Sequence, residues 1–306
     1  MSLNFLRENF ERIKHVWGKG NIWRPGEMRH WMQHPLVQER INKKIAGEFR
    51  GDRFQYFLDR YLKGKLPVEC ALTLGCGSDE LGRGLSQYGF ARTHEGIDLS
   101  DEAIRIARES ANGGGSTRLE YSVADLNTLI LEPGKYDVIF GISSIHHVED
   151  LEHLLEQVKR ALKPDGYFFL DEYIGPTRFQ WTDRQLQIMN EQLMFLPAKL
   201  RQSVSEQGKV KESVARSTPE FVAAVDPSEA VRSSDIVGLL DKNFKILEFK
   251  GYGGSILHEL LYDIAGNFKQ DDPAALDHLQ RLFAVEDALL ASGEIVDDFA
   301  VIVAAP

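Results

Sequence analysis

The segment Cys70-Ala71-Leu72-Thr73-Leu74-Gly75-Cys76-Gly77-Ser78-Asp79-Glu80-Leu81 limits the possible folds more than any other part of the chain. A short apolar run bounded by Pro67 and then by glycines suits a strand buried on both faces of a parallel sheet. The strand runs into a glycine turn and a helix. Gly75 and Gly77 reach backbone angles closed to other residues and leave room for a ligand against the main chain. A bare turn also produces Gly-x-Gly, so the later segments must decide between the two.

From Val68 onward, short apolar runs alternate with amphipathic helices, the signature of a βαβ sheet. Strands are predicted at Cys70–Leu74, His94–Leu99, Leu119–Val123 and Tyr136–Ile142, with a fifth beginning at Tyr167–Leu170. Ser100 is placed to cap the helix that opens Asp101-Glu102-Ala103, and the Gly-rich 112–116 segment closes it. Leu151–Leu162 reads as a helix stopped at Lys163-Pro164-Asp165-Gly166. Beyond Gly175 the chain is polar and partly helical to about Val231, with a helix expected over Thr182–Leu200. Helix Ser234–Leu240, strand Phe244–Lys250, helices over Ile256–Phe268 and Ala274–Leu290, and a last strand Phe299–Val303 then resume the pattern.

Residues 1–65 have helical spacing, seen at Phe5, Leu6, Phe10 and Ile13 and again at Ile41, Ile45, Phe49, Phe54, Phe57, Leu58 and Tyr61. Between these runs, Trp23-Arg24-Pro25-Gly26-Glu27 through Trp31 to Pro35 combines aromatics and Arg in a broken segment, and Trp17 lies just upstream. Such a segment suits a lid over a ligand, with Trp31 among its contacts, and suits equally a helical extension packed on the main domain. The predicted organisation is a helical extension over 1–65, a main domain of 66–175 and 232–306, and a largely helical cap insert over 176–231.

The net charge of −10 argues against a nucleic-acid binder, whose affinity comes from clustered Lys and Arg. No apolar run approaches the length needed to span a bilayer, and the amino terminus lacks the apolar core of a signal peptide, so a cytoplasmic location is expected. The two cysteines, Cys70 and Cys76, flank one strand, poorly placed to bridge, and offer no metal-ligand spacing. Metal independence is therefore expected, although scattered acids can still assemble a site.

Gly75-Cys76-Gly77, Asp98, Asp125-Leu126 and Gly141–His147 fall at the carboxyl ends of successive strands, where open α/β sheets bind ligands. Leu74-Gly75-Cys76-Gly77, Gly96-Ile97-Asp98-Leu99-Ser100, Ala124-Asp125-Leu126 and Lys163-Pro164-Asp165-Gly166, in that order, resemble the class I S-adenosylmethionine-dependent methyltransferases over about residues 68–175. The resemblance implies an α/β fold with a Rossmann-like, seven-stranded, mostly parallel sheet and helices on both faces. It also implies S-adenosyl-L-methionine as cofactor, held by Gly75, Cys76, Gly77, Asp98, Leu99, Asp125, Leu126, Gly141 and Ser143. Asp98 suits the ribose hydroxyls and Asp125 the adenine amine, with the Leu126 amide at a ring nitrogen. In two places the family pattern is not kept. Thr73 stands where an acid is usual, and Asp79 where a third glycine would fall, so either looser cofactor binding or polar contacts from Asp79 and Glu80 are expected.

Methyl transfer to a hydroxyl needs proximity and a base. His146 with Glu172 is the expected pair, because strands four and five should be neighbours, and His147 is the second histidine available. Similar His and acid positions occur in sugar O-methyltransferases, so a small-molecule acceptor methylated at oxygen, a sugar or glycoconjugate among the options, is the leading expectation. Tyr173, Arg178 and Trp181 should overhang the pocket as acceptor contacts, joined by His258. Two other readings are a methyltransferase-fold protein that binds cofactor without turnover and a nicotinamide oxidoreductase. The missing distal glycine and Ala124-Asp125-Leu126 disfavour the second of these.

Overall fold

The computed structural model describes residues 28–48, 51–111 and 116–306. The readings for Phe5 to Glu27, Phe49 and most of the 112–116 glycine segment fall outside them. The described elements are α1 (Pro35–Ala46), α2 (Arg53–Tyr61), β1 (Val68–Leu74), α3 (Glu80–Gln87), β2 (Ala91–Asp98), α4 (Asp101–Ser110), β3 (Arg118–Val123) and β4 (Tyr136–Ile142). They continue with α5 (Leu151–Ala161), β5 (Leu162–Tyr173), α6 (Asp183–Met194), α7 (Pro219–Val225), α8 (Ile236–Asn243), β6 (Lys245–Gly253), α9 (Leu257–Leu261), α10 (Pro273–Ser292) and β7 (Phe299–Ala305).

The seven strands form one sheet in the order β3-β2-β1-β4-β5-β7-β6. Pairing is parallel from β3 through β5, and β7 runs antiparallel to both its neighbours. The chain leaves β1 toward β2 and β3, then returns to place β4 on the other side of β1. That reversal opens a crevice at the carboxyl ends of β1 and β4.

Period-two alternation divides the strand side chains between two cores. Val138, Phe140 and Phe169 join the aromatic core under α1 and α2, whereas Ile139, Phe168 and Leu170 join the aliphatic core under α5 and α8. α5 shows how local sequence serves this. Leu151, Leu154, Leu155, Val158 and Ala161 recur on one face and are buried, and the Asp150 carboxylate caps the helix by accepting from His153 N at 3.0 Å. Each such buried leucine contributes roughly 1.5–3 kcal/mol. The Lys163–Gly166 stop does not separate α5 from β5 as a free turn. Leu162 already pairs with Tyr136, and the register then slips before Tyr167 pairs with Val138.

Three predicted helices have different bounds from those expected, two of them shorter and one displaced toward its carboxyl end. The 182–200 run is α6 followed by a 3₁₀ turn at Ala198–Arg201, the 234–240 run starts as a 3₁₀ turn at Ser233–Asp235, and the 256–268 run is α9 plus a turn at Ala265–Asn267. Pro197 interrupts the first of these.

The described part of the amino-terminal extension is anchored to the sheet by buried charge. Arg53 Nε donates to Asp171 Oδ2 at 2.5 Å and Tyr252 OH donates to Asp171 Oδ1 at 2.7 Å, while Arg40 pairs with buried Glu286 at 2.8 Å. Trp31 is fully buried, 5.3 Å from the Phe299 ring and stacked on Tyr252 at 6.4 Å. This part of the expected lid is packed down.

Candidate functional site

The glycine turn after β1 is locked to the segment after β4. Ser144 Oγ donates to Leu74 O at 2.7 Å, and a Cβ on Gly75 would lie 2.5 Å from Ser144 Cβ, so only glycine fits, at φ +62°. Gly77, at φ +54°, has open space where a side chain would be. At the end of β2, Asp98 accepts from Gly77 N and Ser100 N, each at 2.8 Å, which fixes its carboxylate at the crevice. Burial raises the Asp98 pKa, although the amide bonds act in the opposite direction. Val123 pairs with Asp98, and Ala124 N donates to Asp98 O, which brings Asp125 and Leu126 alongside Asp98 and Leu99. All four are half-buried. Asp125 Oδ1 accepts from Asn127 N at 2.9 Å and from its side-chain amide at 2.8 Å.

The two departures from the family pattern have local explanations. Thr73 Oγ1 is 2.8 Å from His94 Nε2 inside the sheet, so the place of the usual acid is taken by a buried neutral pair. Asp79 is buried, caps α3 through Gly82 N at 2.9 Å and accepts from Tyr121 OH at 2.7 Å. It therefore does not offer the cofactor contact expected of it. Burial raises the thiol pKa of Cys76, with Asp79 and Asp98 adding to the shift, so it is no thiolate nucleophile.

Across the crevice, near the end of β4, a Cβ on Gly141 would meet Ile145 Cγ1 at 2.6 Å, and the exposed Ser143 just past the strand has φ +49°. The fully buried Glu172, at the end of β5, gathers this segment. Its Oε1 accepts from Ser144 N at 2.6 Å and Ile145 N at 2.7 Å, and its Oε2 accepts from His146 Nδ1 at 2.7 Å. A carboxylate only accepts, so the His146 proton sits on Nδ1 and the lone pair on Nε2. Burial alone would lower the His146 pKa, but Glu172, Glu229 and Asp226 outweigh it and the net shift is upward. Nε2 faces Glu229 Oε1 at 3.7 Å, and burial pushes that carboxyl up to about 6.

His147 lies against the insert, with Nδ1 3.0 Å from Ser228 Oγ and 4.0 Å from Asp226 Oδ2. Burial, then the neighbouring His146, drives its pKa well below the ordinary value.

The expected acceptor contacts divide into two groups. Tyr173, His258 and Trp31 come together around Phe299, and Trp181 lies 6.0 Å from the His258 ring. Tyr173 is 6.0 Å from the His146 ring and 6.0 Å from His258, which lies 5.2 Å from Phe299. Burial lowers the His258 pKa well below the ordinary value, which keeps its ring neutral. Arg178 does different work from that expected. Its guanidinium donates to the carbonyls of Pro227 at 2.7 Å and Glu229 at 2.8 Å, so it shapes the loop that carries Glu229.

Sequence reasoning missed Glu229, Asp226 and Asp298. Asp298 is buried at the start of β7 and accepts from Trp181 Nε1 at 2.9 Å, while its Oδ1 has no partner among the described residues. Burial pushes its carboxyl up to about 7. The available signal was its position. An antiparallel last strand begins where β5 ends, at the ligand edge.

Fold and site together define a doubly wound α/β protein with a ligand crevice at its switch point, acids after β2 and β3, and a histidine–carboxylate pair across from them. Residues 72–170 match the family model described as a methyltransferase domain. Among relatives, a ubiquinone biosynthesis O-methyltransferase of Leptothrix cholodnii is 32% identical over 108 residues, 35% of this chain and 45% of that one. A phosphoethanolamine N-methyltransferase 2 of Caenorhabditis elegans is 27% identical over 159 residues, 51% of this chain and 36% of that one. The chain thus spans less than half the length of either relative. The phosphoethanolamine N-methyltransferase 2 of Haemonchus contortus, solved with S-adenosyl-L-methionine, shares the fold at TM-score 0.53 and 16% identity, covering 96% of this chain and 59% of that one. Among the described residues no helix is long and apolar enough to cross a membrane.

Proposed function

We propose that the protein transfers a methyl group from S-adenosylmethionine to a hydroxyl of a small molecule, with a sugar or glycoconjugate as the acceptor class. The His146–Glu172 pair carries this reading. A buried imidazole whose Nδ1 proton is held by a carboxylate presents a lone pair on Nε2, the arrangement a hydroxyl needs and an amine acceptor needs less. The residues present suit the cofactor. Gly75 and Gly77 leave the backbone open to it, and the fixed Asp98 carboxylate keeps lone pairs for ribose hydroxyls, with Asp125 beside it.

When bound, S-adenosylmethionine supplies an electrophilic methyl group on a sulfonium. The chain's own part is to orient the acceptor and take its proton. His146 Nε2 accepts that proton, Glu172 stabilises the imidazolium formed, and the ring of Tyr173 walls the site beside it. Tyr173 and Trp181 are themselves buried, so they back the site beside His146 and do not present open faces to an acceptor. Arg178 acts at one remove, by holding the loop of Glu229.

Incubation with S-adenosylmethionine and hydroxylated acceptors, followed by mass spectrometry, tests the assignment. The expected result is an acceptor heavier by one CH₂, formed by the wild type and lost in His146→Ala. Methylation of amines in preference to hydroxyls, or product formed equally by His146→Ala, contradicts it. The methyltransferase domain match and the methyltransferase relatives favour methyl transfer over the oxidoreductase alternative. A protein that binds the cofactor without turnover remains the second reading, because Thr73 with His94 replaces the usual acid. That pair is neutral, and the Asp98 side of the crevice does not depend on it.

A further inference from the structure

We propose that His146, His147 and Glu229 form a binding site for one divalent transition-metal ion, and that this ion competes with the proton for His146. One ring nitrogen of each histidine and one carboxylate oxygen of Glu229 lie within 4.8 Å of one another. Tetrahedral ligands on bonds of about 2.0–2.1 Å stand about 3.3 Å apart, so modest side-chain rotations close the set. The donors come from two loops far apart in sequence, which explains why no metal-ligand spacing is visible in the chain.

The surroundings of both imidazoles match those of metal-bound histidines, which give their second nitrogen to a carboxylate or another oxygen acceptor. His146 Nδ1 donates to Glu172 Oε2 at 2.7 Å. His147 Nδ1 is 3.0 Å from Ser228 Oγ, and Ser228 Oγ donates in turn to Asp226 Oδ1 at 2.7 Å. Two neighbouring histidines are thus each backed by a buried carboxylate, one directly and one through a hydroxyl. The loop that carries the third donor is also fixed. Arg178 holds Glu229 O at 2.8 Å, and Val231 N donates to His146 O at 3.2 Å, which ties the Glu229 loop to the histidine loop. Base catalysis uses one histidine. It leaves His147, Ser228 and Asp226 without a role, and the metal site gives them one.

Two imidazoles and one carboxylate select zinc, cobalt or nickel over magnesium or calcium, which prefer all-oxygen shells. With a metal on Nε2 there is no lone pair for the acceptor's proton, so the loaded form is a resting form.

The test titrates the full chain with Co²⁺ alone and follows its visible d–d absorption, with Mg²⁺ as control. The expected result is one Co²⁺ per chain with a four- or five-coordinate spectrum, displaced by Zn²⁺ and unaffected by Mg²⁺. Glu229→Gln and His147→Ala should each weaken binding by about 10- to 100-fold. Calorimetry with S-adenosylmethionine on the same variants reports that they are folded. No cobalt spectrum in the wild type, or one retained in both variants, overturns the site. Cobalt binding needs no acceptor, so its failure leaves the methyltransferase assignment standing. In the acceptor assay Zn²⁺ should suppress turnover and a chelator restore it, and activation by Zn²⁺ overturns the competition.

Discussion

At the β1–β3 end of the crevice, Asp98 and Asp125 are half-buried and are set by backbone amides of the loops that follow β1, β2 and β3. At the β4–β5 end, His146 is buried and set by side chains from β5 and from the insert, with Glu172 at 2.7 Å and Glu229 at 3.7 Å. The first end is the proposed shelf for the cofactor, held by main-chain contacts. The second is assembled from distant parts of the chain, so a change in the insert should alter it without disturbing the sheet. Substitutions should therefore separate, with those at one end moving cofactor affinity and those at the other moving turnover.

The largest expected effect is at Glu172. In Glu172→Gln the amide oxygen can still accept from Ser144 N and Ile145 N, but the amide nitrogen then faces His146 Nδ1 and forces the proton onto Nε2. Turnover should fall about 10³- to 10⁴-fold with cofactor affinity kept, as measured by single-turnover kinetics beside calorimetry. Equal losses in both would mean that the two ends are not separable.

Next is Asp98→Ala, which should weaken S-adenosylmethionine by about 10- to 100-fold while leaving the His146 environment as it is. Chemical shifts of the two imidazoles check the second half of that statement.

A third effect concerns stability. Asp298 is raised from an ordinary 3.8 to about 7, so the folded state holds its proton where the unfolded chain has lost it. Stability from this group is present below pH 3.8 and drains as pH rises toward 7, by up to about 1.4 kcal/mol per pH unit. Asp298→Asn should remove that slope, and denaturant unfolding across the window measures it. An unchanged slope would mean that the carboxyl is not held neutral.

The smallest expected effect is Thr73→Val. It leaves His94 Nε2 without its 2.8 Å partner, at a cost of about 1–2 kcal/mol in stability, with cofactor affinity unchanged. A large loss of affinity would return Thr73 to the binding surface.

Much of the fold was legible because its signals are local. The buried strands, the Ser100 cap and the glycine turn all show within a few residues, and four ordered motifs mark the strand ends proposed as the cofactor shelf. The pairing of His146 with Glu172 followed from the neighbourhood of β4 and β5. The rest of the proposed catalytic end was not legible. Glu229 lies in a polar segment whose Asp226-Pro227-Ser228-Glu229 pattern looks like any turn, and only its long-range contacts distinguish it. Arg178 was misread for a related reason. An arginine over a pocket suggests a ligand, but here three loop carbonyls already take its guanidinium.

The most direct test is a calorimetric titration of S-adenosylmethionine into the wild type, Asp98→Ala and Glu172→Gln. Binding by the wild type, strongly reduced in Asp98→Ala and retained in Glu172→Gln, is the predicted result. Binding unchanged in Asp98→Ala, or lost in Glu172→Gln with its fold intact, would contradict the division of the site into a cofactor shelf and a catalytic end.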